Sequence, residues 1–384
     1  MAGETPSVLL NAEFATDPAK EGWVRAAFGK QEFSGAWHRP DSAGNEPGHL
    51  AVKRGYWQTP DLKVKPLAYY RLRFAARTPQ PAYWSAVFVD AAGAEIVADV
   101  YDSIDTASAW QKNEFCFRAH ALATKVRLRF QPIAEDSLRV SNVSLEDVDA
   151  ATAGEWIDGI AANNPLLRFS PAAERWGHLP KTMQKLKEGG MLKIVLLGDS
   201  IANDSSNSMF EIPLLRKYPK AKIEVITSVR GGTGCQYYKD ENRVQDYVCR
   251  FKPDLLVIAG ISNGYDAEAI RSVIKQVRAS IDPEILVLSG AICPEELCKK
   301  NHVERAKNKG EALEQVEKFR SRLARMTHEE KVEFFDIRAV WDQYIRLQNH
   351  PQEWFMRDPI HANSRGKQVV GRILLKYFEP KEEE

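Results

Sequence analysis

Nowhere does this chain carry an apolar run near the roughly 20 residues that a helix needs to cross a bilayer, so no membrane is expected as a partner. Charge of one sign is missing too. The 53 Lys and Arg balance 52 Asp and Glu to a formal net charge of +1, which removes the electrostatic reason to expect nucleic acid or an anionic surface. Cysteine is scarce, at five in 384 residues, and its spacing is not that of a metal site. Cys293 and Cys298, with His302 nearby, lack a fourth ligand and the usual short interval between paired cysteines. These two are read as free thiols or as closing a small loop, and Cys116, between Phe115 and Phe117, as a core thiol. No metal and no other cofactor is expected.

What is present is the composition of a globular protein, 44% hydrophobic and 27% charged, in a chain long enough for two domains. Residues 1–149 read as an all-β sandwich. Tyr69–Ala75, Trp84–Val89 and Lys125–Phe130 alternate apolar with polar, separated by turn signals such as Asp90–Gly93 and Pro79–Pro81. Trp23, Trp37, Trp57, Trp84 and Trp110 fall here and are expected to fill its core. Trp37, in the turn-rich Gly35–Pro40, is the best candidate for exposure. Residues 150–190 read as a connector. Ala150–Gly154 and Asn163–Pro165 are breaker-rich, Pro180–Glu188 is a short helix stopped by Gly189 and Gly190, and Trp156, Leu166, Leu167, Phe169 and Trp176 need burial.

From 191 to 384 the pattern alternates strand with helix. Strands are expected at Met191–Gly198, Ile223–Val229, Asp254–Ala259, Ile285–Leu288 and Val332–Phe335. Helical faces fall at Val244–Phe251, at Ile270–Val277 with Asp266 as its N-cap, at Val303–Met326 and at Ser364–Phe378. This repetition predicts a three-layer α/β domain around a five-stranded, mostly parallel sheet.

Four motifs sit at the ends of these strands. Ile194–Leu197 run unbroken into Gly198-Asp199-Ser200, and the polar Asn203-Asp204-Ser205 follow at once. A strand buried on both faces presents such a serine at the mouth of the sheet, where ligands bind. Arg230-Gly231-Gly232-Thr233-Gly234 follows the second strand and Gly260-Ile261-Ser262-Asn263 the third. Asp358-Pro359-Ile360-His361 precedes the last helix. A serine hydroxyl needs a base to become a nucleophile. His361 is the candidate base, and Asp358 can hold the imidazole tautomer and stabilise the imidazolium. The nearest rival, His350, reads as a loop residue.

In that order the four motifs resemble the SGNH (GDSL-type) hydrolase family over about residues 191–378. The resemblance implies an SGNH-type fold for 191–384, Ser200, His361 and Asp358 as the catalytic residues, and no cofactor. It also implies an oxyanion hole made by the backbone N–H groups of Ser200 and Gly232, with Gly231 as the alternative to Gly232, and by the Asn263 side-chain amide. The first domain, with its opening Asn11–Phe14, Gly22-Trp23 and closing Val140–Glu146, is similar to the jelly-roll modules that accompany carbohydrate-active enzymes. Together these imply a serine esterase that removes an O-acyl group, foremost O-acetyl, from a carbohydrate through an acyl-enzyme. An acylated carbohydrate is then the expected partner. The alternatives are a lipase or thioesterase of the same family, or a glycan-binding protein with an impaired hydrolase half. The first residues, Met-Ala-Gly-Glu-Thr-Pro-Ser, have neither the basic start nor the apolar core of a signal peptide. The expected location is secreted or periplasmic with the signal segment absent from this sequence, and cytoplasmic is the alternative.

Overall fold

A computed structural model describes residues 7–133, 135, 138–290 and 309–380. The Cys293–Cys298 loop and the first residues of the helix expected from Val303 lie outside them. The chain forms two compact units, Met1–Trp156 and Ile157–Glu384.

In the first unit the period-2 alternation becomes strands with one buried face. Tyr69–Thr78 places every second residue in the interior, as the pleat requires. Two antiparallel six-stranded sheets result. One runs in the order Ala107–Arg118, Tyr69–Thr78, Leu138–Val148, His49–Arg54, Ser34–His38, with Val8–Ala12 added beside Leu138–Val148. The other runs Val24–Ala26, Tyr56–Gln58, Lys125–Pro132, Ala82–Val89, Val100–Ile104, with Leu62–Lys63 against Lys125–Pro132. Side chains of both sheets meet in one apolar cluster that includes Leu50, Leu72, Phe74, Trp84, Phe117 and Phe130. Trp23, Trp57 and Trp84 belong to it. Trp37 does not stand free as expected. Its strand pairs with His49–Arg54, its ring packs against the core, and its Nε1–H donates to the Phe14 carbonyl at 2.9 Å.

The stretch from Ala150, expected to break structure, begins a helix instead, α1 (Ala150–Asn163). Asp149 accepts the Thr152 N–H at 2.8 Å, the usual N-cap contact, and the alanines that follow favour helix. Of the connector residues expected to need burial, Trp176 is buried but Leu166 is 73% exposed. Helix α2 (Pro180–Glu188) ends at Gly189, whose φ is +102°.

The sheet of the second unit is built from β1 (Gly190–Gly198), β2 (Ala221–Val229), β3 (Leu255–Ile258), β4 (Glu284–Leu288) and β5 (Glu333–Phe335), in the order β2-β1-β3-β4-β5. Each of these pairings is parallel. Ile194, Val195, Leu196 and Leu197 of β1 are buried, as a central strand covered on both faces demands. The helices are α3 (Ser200–Ser206), α4 (Glu211–Lys217), α5 (Cys235–Tyr238), α6 (Arg243–Tyr247), α7 (Ala267–Ser280), α8 (Lys309–Glu329), α9 (Ile337–Arg346) and α10 (Ser364–Phe378). Asp266 caps α7 through the Ala269 N–H. The connection from β1 goes to one side and the one to β3 returns past it to the other. A strand order of this kind has its switch point between β1 and β3, and ligands bind at the carboxyl ends there.

Candidate active site

Ser200, Gly232 and Asn263 follow the carboxyl ends of β1, β2 and β3, three neighbouring strands. The turn after β1 is held by one side chain. Asp199, almost wholly buried, caps α3 by accepting the N–H groups of Ile201 at 2.9 Å and Ala202 at 3.4 Å. Its other oxygen accepts the N–H groups of Ile261 at 2.7 Å and Ser262 at 2.6 Å. It thereby ties the Ser200 turn to the loop after β3. Gly260 makes this approach possible, because a Cβ there would lie 2.4 Å from Asp199 Oδ1 and its φ is +101°, a conformation suited to glycine. Among the N–H groups of the first turn of α3, Asp199 takes those of Ile201, Ala202 and Asn203. The Ser200 N–H is the one it does not take.

The structure brings the three expected reacting residues together. Ser200 Oγ lies 2.8 Å from His361 Nε2. His361 Nδ1 lies 2.8 and 2.9 Å from the two oxygens of Asp358. Asp358 Oδ1 also accepts the N–H groups of Ile360 at 2.8 Å and His361 at 2.9 Å, so the acid fixes both the ring and the backbone that carries it. The loop is closed by a bridge between Met356 and Ala362 and by the Arg357 N–H donating to the His361 carbonyl at 3.0 Å. Burial pushes the Asp358 carboxyl toward higher pKa, but the hydrogen bond and charge of His361, the Ile360 N–H and the Arg357 charge overcome it and hold the carboxyl at about 2. It is therefore ionised across the neutral range, with its lone pairs directed at the imidazole. His350 is stacked on Trp354 at 4.2 Å.

Asn263 is buried, and its Oδ1 accepts the Cys235 N–H at 2.8 Å. A backbone donor requires an acceptor, so this contact fixes which way the amide faces and leaves the NH2 as what Asn263 can offer elsewhere. Of the two adjacent glycines, Gly232 has the left-handed φ of +63° with open space where a Cβ would be. Such a residue can turn its N–H toward a ligand.

Two residues were not singled out by their sequence pattern. Asp204 lies one turn after Ser200 on α3, and Arg357 directly precedes Asp358. Asp204 Oδ1 accepts Arg357 Nη1 at 2.9 Å, and its Oδ2 accepts the Ala362 N–H at 3.1 Å. The only hint in the sequence was a charge at helical spacing from the serine. Cys116, Cys235 and Cys249 are buried, unpaired thiols, and burial pushes the first of them up to about 12.

No family model matches this chain, and no curated protein matches it. It is similar to several solved structures at low identity. With an acetylxylan esterase from Geobacillus stearothermophilus it shares 14% identity over 50% of this chain and 95% of that one, at a TM-score of 0.40. With a two-domain esterase active on acetylated mannans it shares 16% over 54% of this chain and 56% of that one, again at 0.40. With the enzymatically active domain of tailspike protein 4 of bacteriophage CBA120 it shares 14% over 35% of this chain, which is only 20% of that one, at 0.29. The first two are likenesses to carbohydrate esterases, and all three are at low structural overlap.

Proposed function

We propose that this protein is a serine esterase of the SGNH type that removes an O-acyl group, foremost O-acetyl, from a carbohydrate. The observation that carries the reading is the unbroken chain of hydrogen bonds from Ser200 Oγ through His361 to Asp358, set at the carboxyl end of β1. In the proposed reaction Ser200 Oγ attacks the ester carbonyl while His361 Nε2 takes its proton. The resulting oxyanion is met by the N–H groups of Ser200 and Gly232 and by the Asn263 amide, donors of a kind worth roughly 3 kcal/mol each. Collapse of the tetrahedral intermediate expels the sugar oxygen, which takes the proton back from His361 and leaves acyl-Ser200. Water, activated by the same imidazole, then releases the acid. Asp358 keeps Nδ1 protonated and stabilises the imidazolium in both halves.

The side chains around the motifs favour a polar substrate over a fatty acyl chain. Arg230 is exposed beside Gly231, its guanidinium 5.1 Å from the Tyr237 ring, and Thr233 follows, with Gln236 on α5. The test is hydrolysis of p-nitrophenyl esters of increasing acyl length, together with acetate release from acetylated oligosaccharides. The reading expects the acetyl ester to be the best of the series, with acetate released from at least one glycan. A full-length, folded protein that turns over long-chain esters best would place it with lipases instead, and one that hydrolyses none would leave a binding protein.

A further inference from the structure

Asp358 has a competitor for its carboxylate one residue away. Arg357 Nε lies 3.5 Å from Asp358 Oδ2, and the Arg357 side chain is only 5% exposed. A cation buried so deeply must have a counter-charge. If Asp358 supplied it, the carboxylate would turn toward the guanidinium, which offers several donors in a fixed fork, and away from the single Nδ1–H of His361. Asp204 answers this need from a different element. Its side chain, 1% exposed, takes Arg357 Nη1 at 2.9 Å with one oxygen. With the other it takes the Ala362 N–H at 3.1 Å, next to His361. Because Asp204 stands one turn along the helix that begins with Ser200, the same contact joins the serine helix to the histidine loop.

We infer that Asp204 is a positioning residue of the proposed reaction: it sequesters Arg357 so that Asp358 remains the partner of His361, and it sets the histidine loop against the serine helix. The charges in contact about this loop include Asp358 and Arg357 on the loop itself and Asp204 on α3. The inference rests on the esterase reading, so its test compares variants of the same full-length enzyme with one another on p-nitrophenyl acetate. If the wild type proves inactive, the reading fails before the inference is reached.

Asp204→Asn leaves the buried guanidinium without its carboxylate. The expected result is a loss of kcat of at least tenfold with KM changed less than threefold, and a move of the midpoint of the acidic limb of the pH–rate profile to lower pH. The imidazolium loses stabilisation as Asp358 turns to Arg357. The decisive variant is Asp204→Asn combined with Arg357→Gln, which removes the competitor as well. It should regain most of the lost kcat and return the midpoint toward wild type. A pair that served only to hold the fold would give a double variant as damaged as Asp204→Asn or worse, with an unmoved midpoint, and that result overturns the inference. Should Asp204→Asn not fold, Arg357→Gln alone is read. The inference expects its midpoint to move to higher pH as the cation leaves Asp358, and no movement overturns it.

Discussion

The two units distribute their buried polar groups differently. In the first, pairs such as Arg73 with Glu114 and Glu146 and Arg127 with Asp61 and Glu95 lie across strands, and the buried polar residues, among them Ser85, Asp102, Arg118 and Ser141, come from separate strands around an apolar cluster. In the second, polar side chains are buried together after β1 and β3: Asp199, Asn203, Asp204, Ser205, Ser206, Ser208 and Asn263. Burying such groups is unfavourable unless each finds a partner. The partners are there, for Ser206 in Thr227 at 2.6 Å and for Ser208 in the Ser205 carbonyl at 2.6 Å. A buried polar cluster is costly to assemble and rigid once assembled, which is what a preorganised site requires.

Substitutions can break this contrast, beginning with the largest effect. Asp199→Ala would strip the acceptor from the N–H groups of Ile261 and Ser262. At about 1–3 kcal/mol for each buried donor left unmade, it should lower stability by about 4 kcal/mol and reduce ester turnover more than a hundredfold, read by denaturant titration and kinetics on the same sample. Trp84→Ala empties a buried site between Phe115 and Phe117 and should cost about 3–5 kcal/mol. Turnover of a small ester per folded molecule should not change.

The next effect is smaller and depends on pH. The folded carboxyl of Asp358 is held at about 2, below its ordinary value of 3.8, so the unfolded chain binds its proton first as pH falls. Its contribution, about 2 kcal/mol for a displacement of this size, is complete above about pH 4. It is lost as pH drops through the folded value. Asp358→Asn should therefore narrow its stability gap to wild type between about pH 4 and pH 2 in acid-denaturation curves. The smallest effect belongs to the sandwich surface. Arg73→Ala removes half-exposed pairs and should cost under about 1 kcal/mol, and less at high salt.

The contrast also explains what could be read from the residues alone. The strands of the second unit, the limits of Pro180–Glu188 and Ser364–Phe378, and the juxtaposition of Ser200 with His361 and Asp358 were legible, since local periodicity, caps and short motifs carry them. The fate of Asn203-Asp204-Ser205 was not. In the sequence they are only polar residues after the strand, yet they form a buried helix, because Thr227, Arg357, Ala362 and Gln368, far along the chain, pack against that helix and the turn after it. Helix α1 was missed for a local reason. Ala150–Gly154 was read as a breaker, whereas its alanines favour helix and the Asp149 cap ahead of it starts one. Leu166 was expected to be buried because it is apolar, but apolar residues are often exposed singly.

The central claim is that Ser200 carries the acyl group. Incubating the full-length protein with an alkyl fluorophosphonate and mapping the adduct by peptide mass spectrometry tests it directly. The account predicts one adduct, on Ser200, formed with loss of p-nitrophenyl acetate turnover and formed far more slowly in folded His361→Ala. An adduct on another residue that tracks the loss of turnover, or a folded Ser200→Ala that hydrolyses the acetyl ester at the wild-type rate, would contradict it.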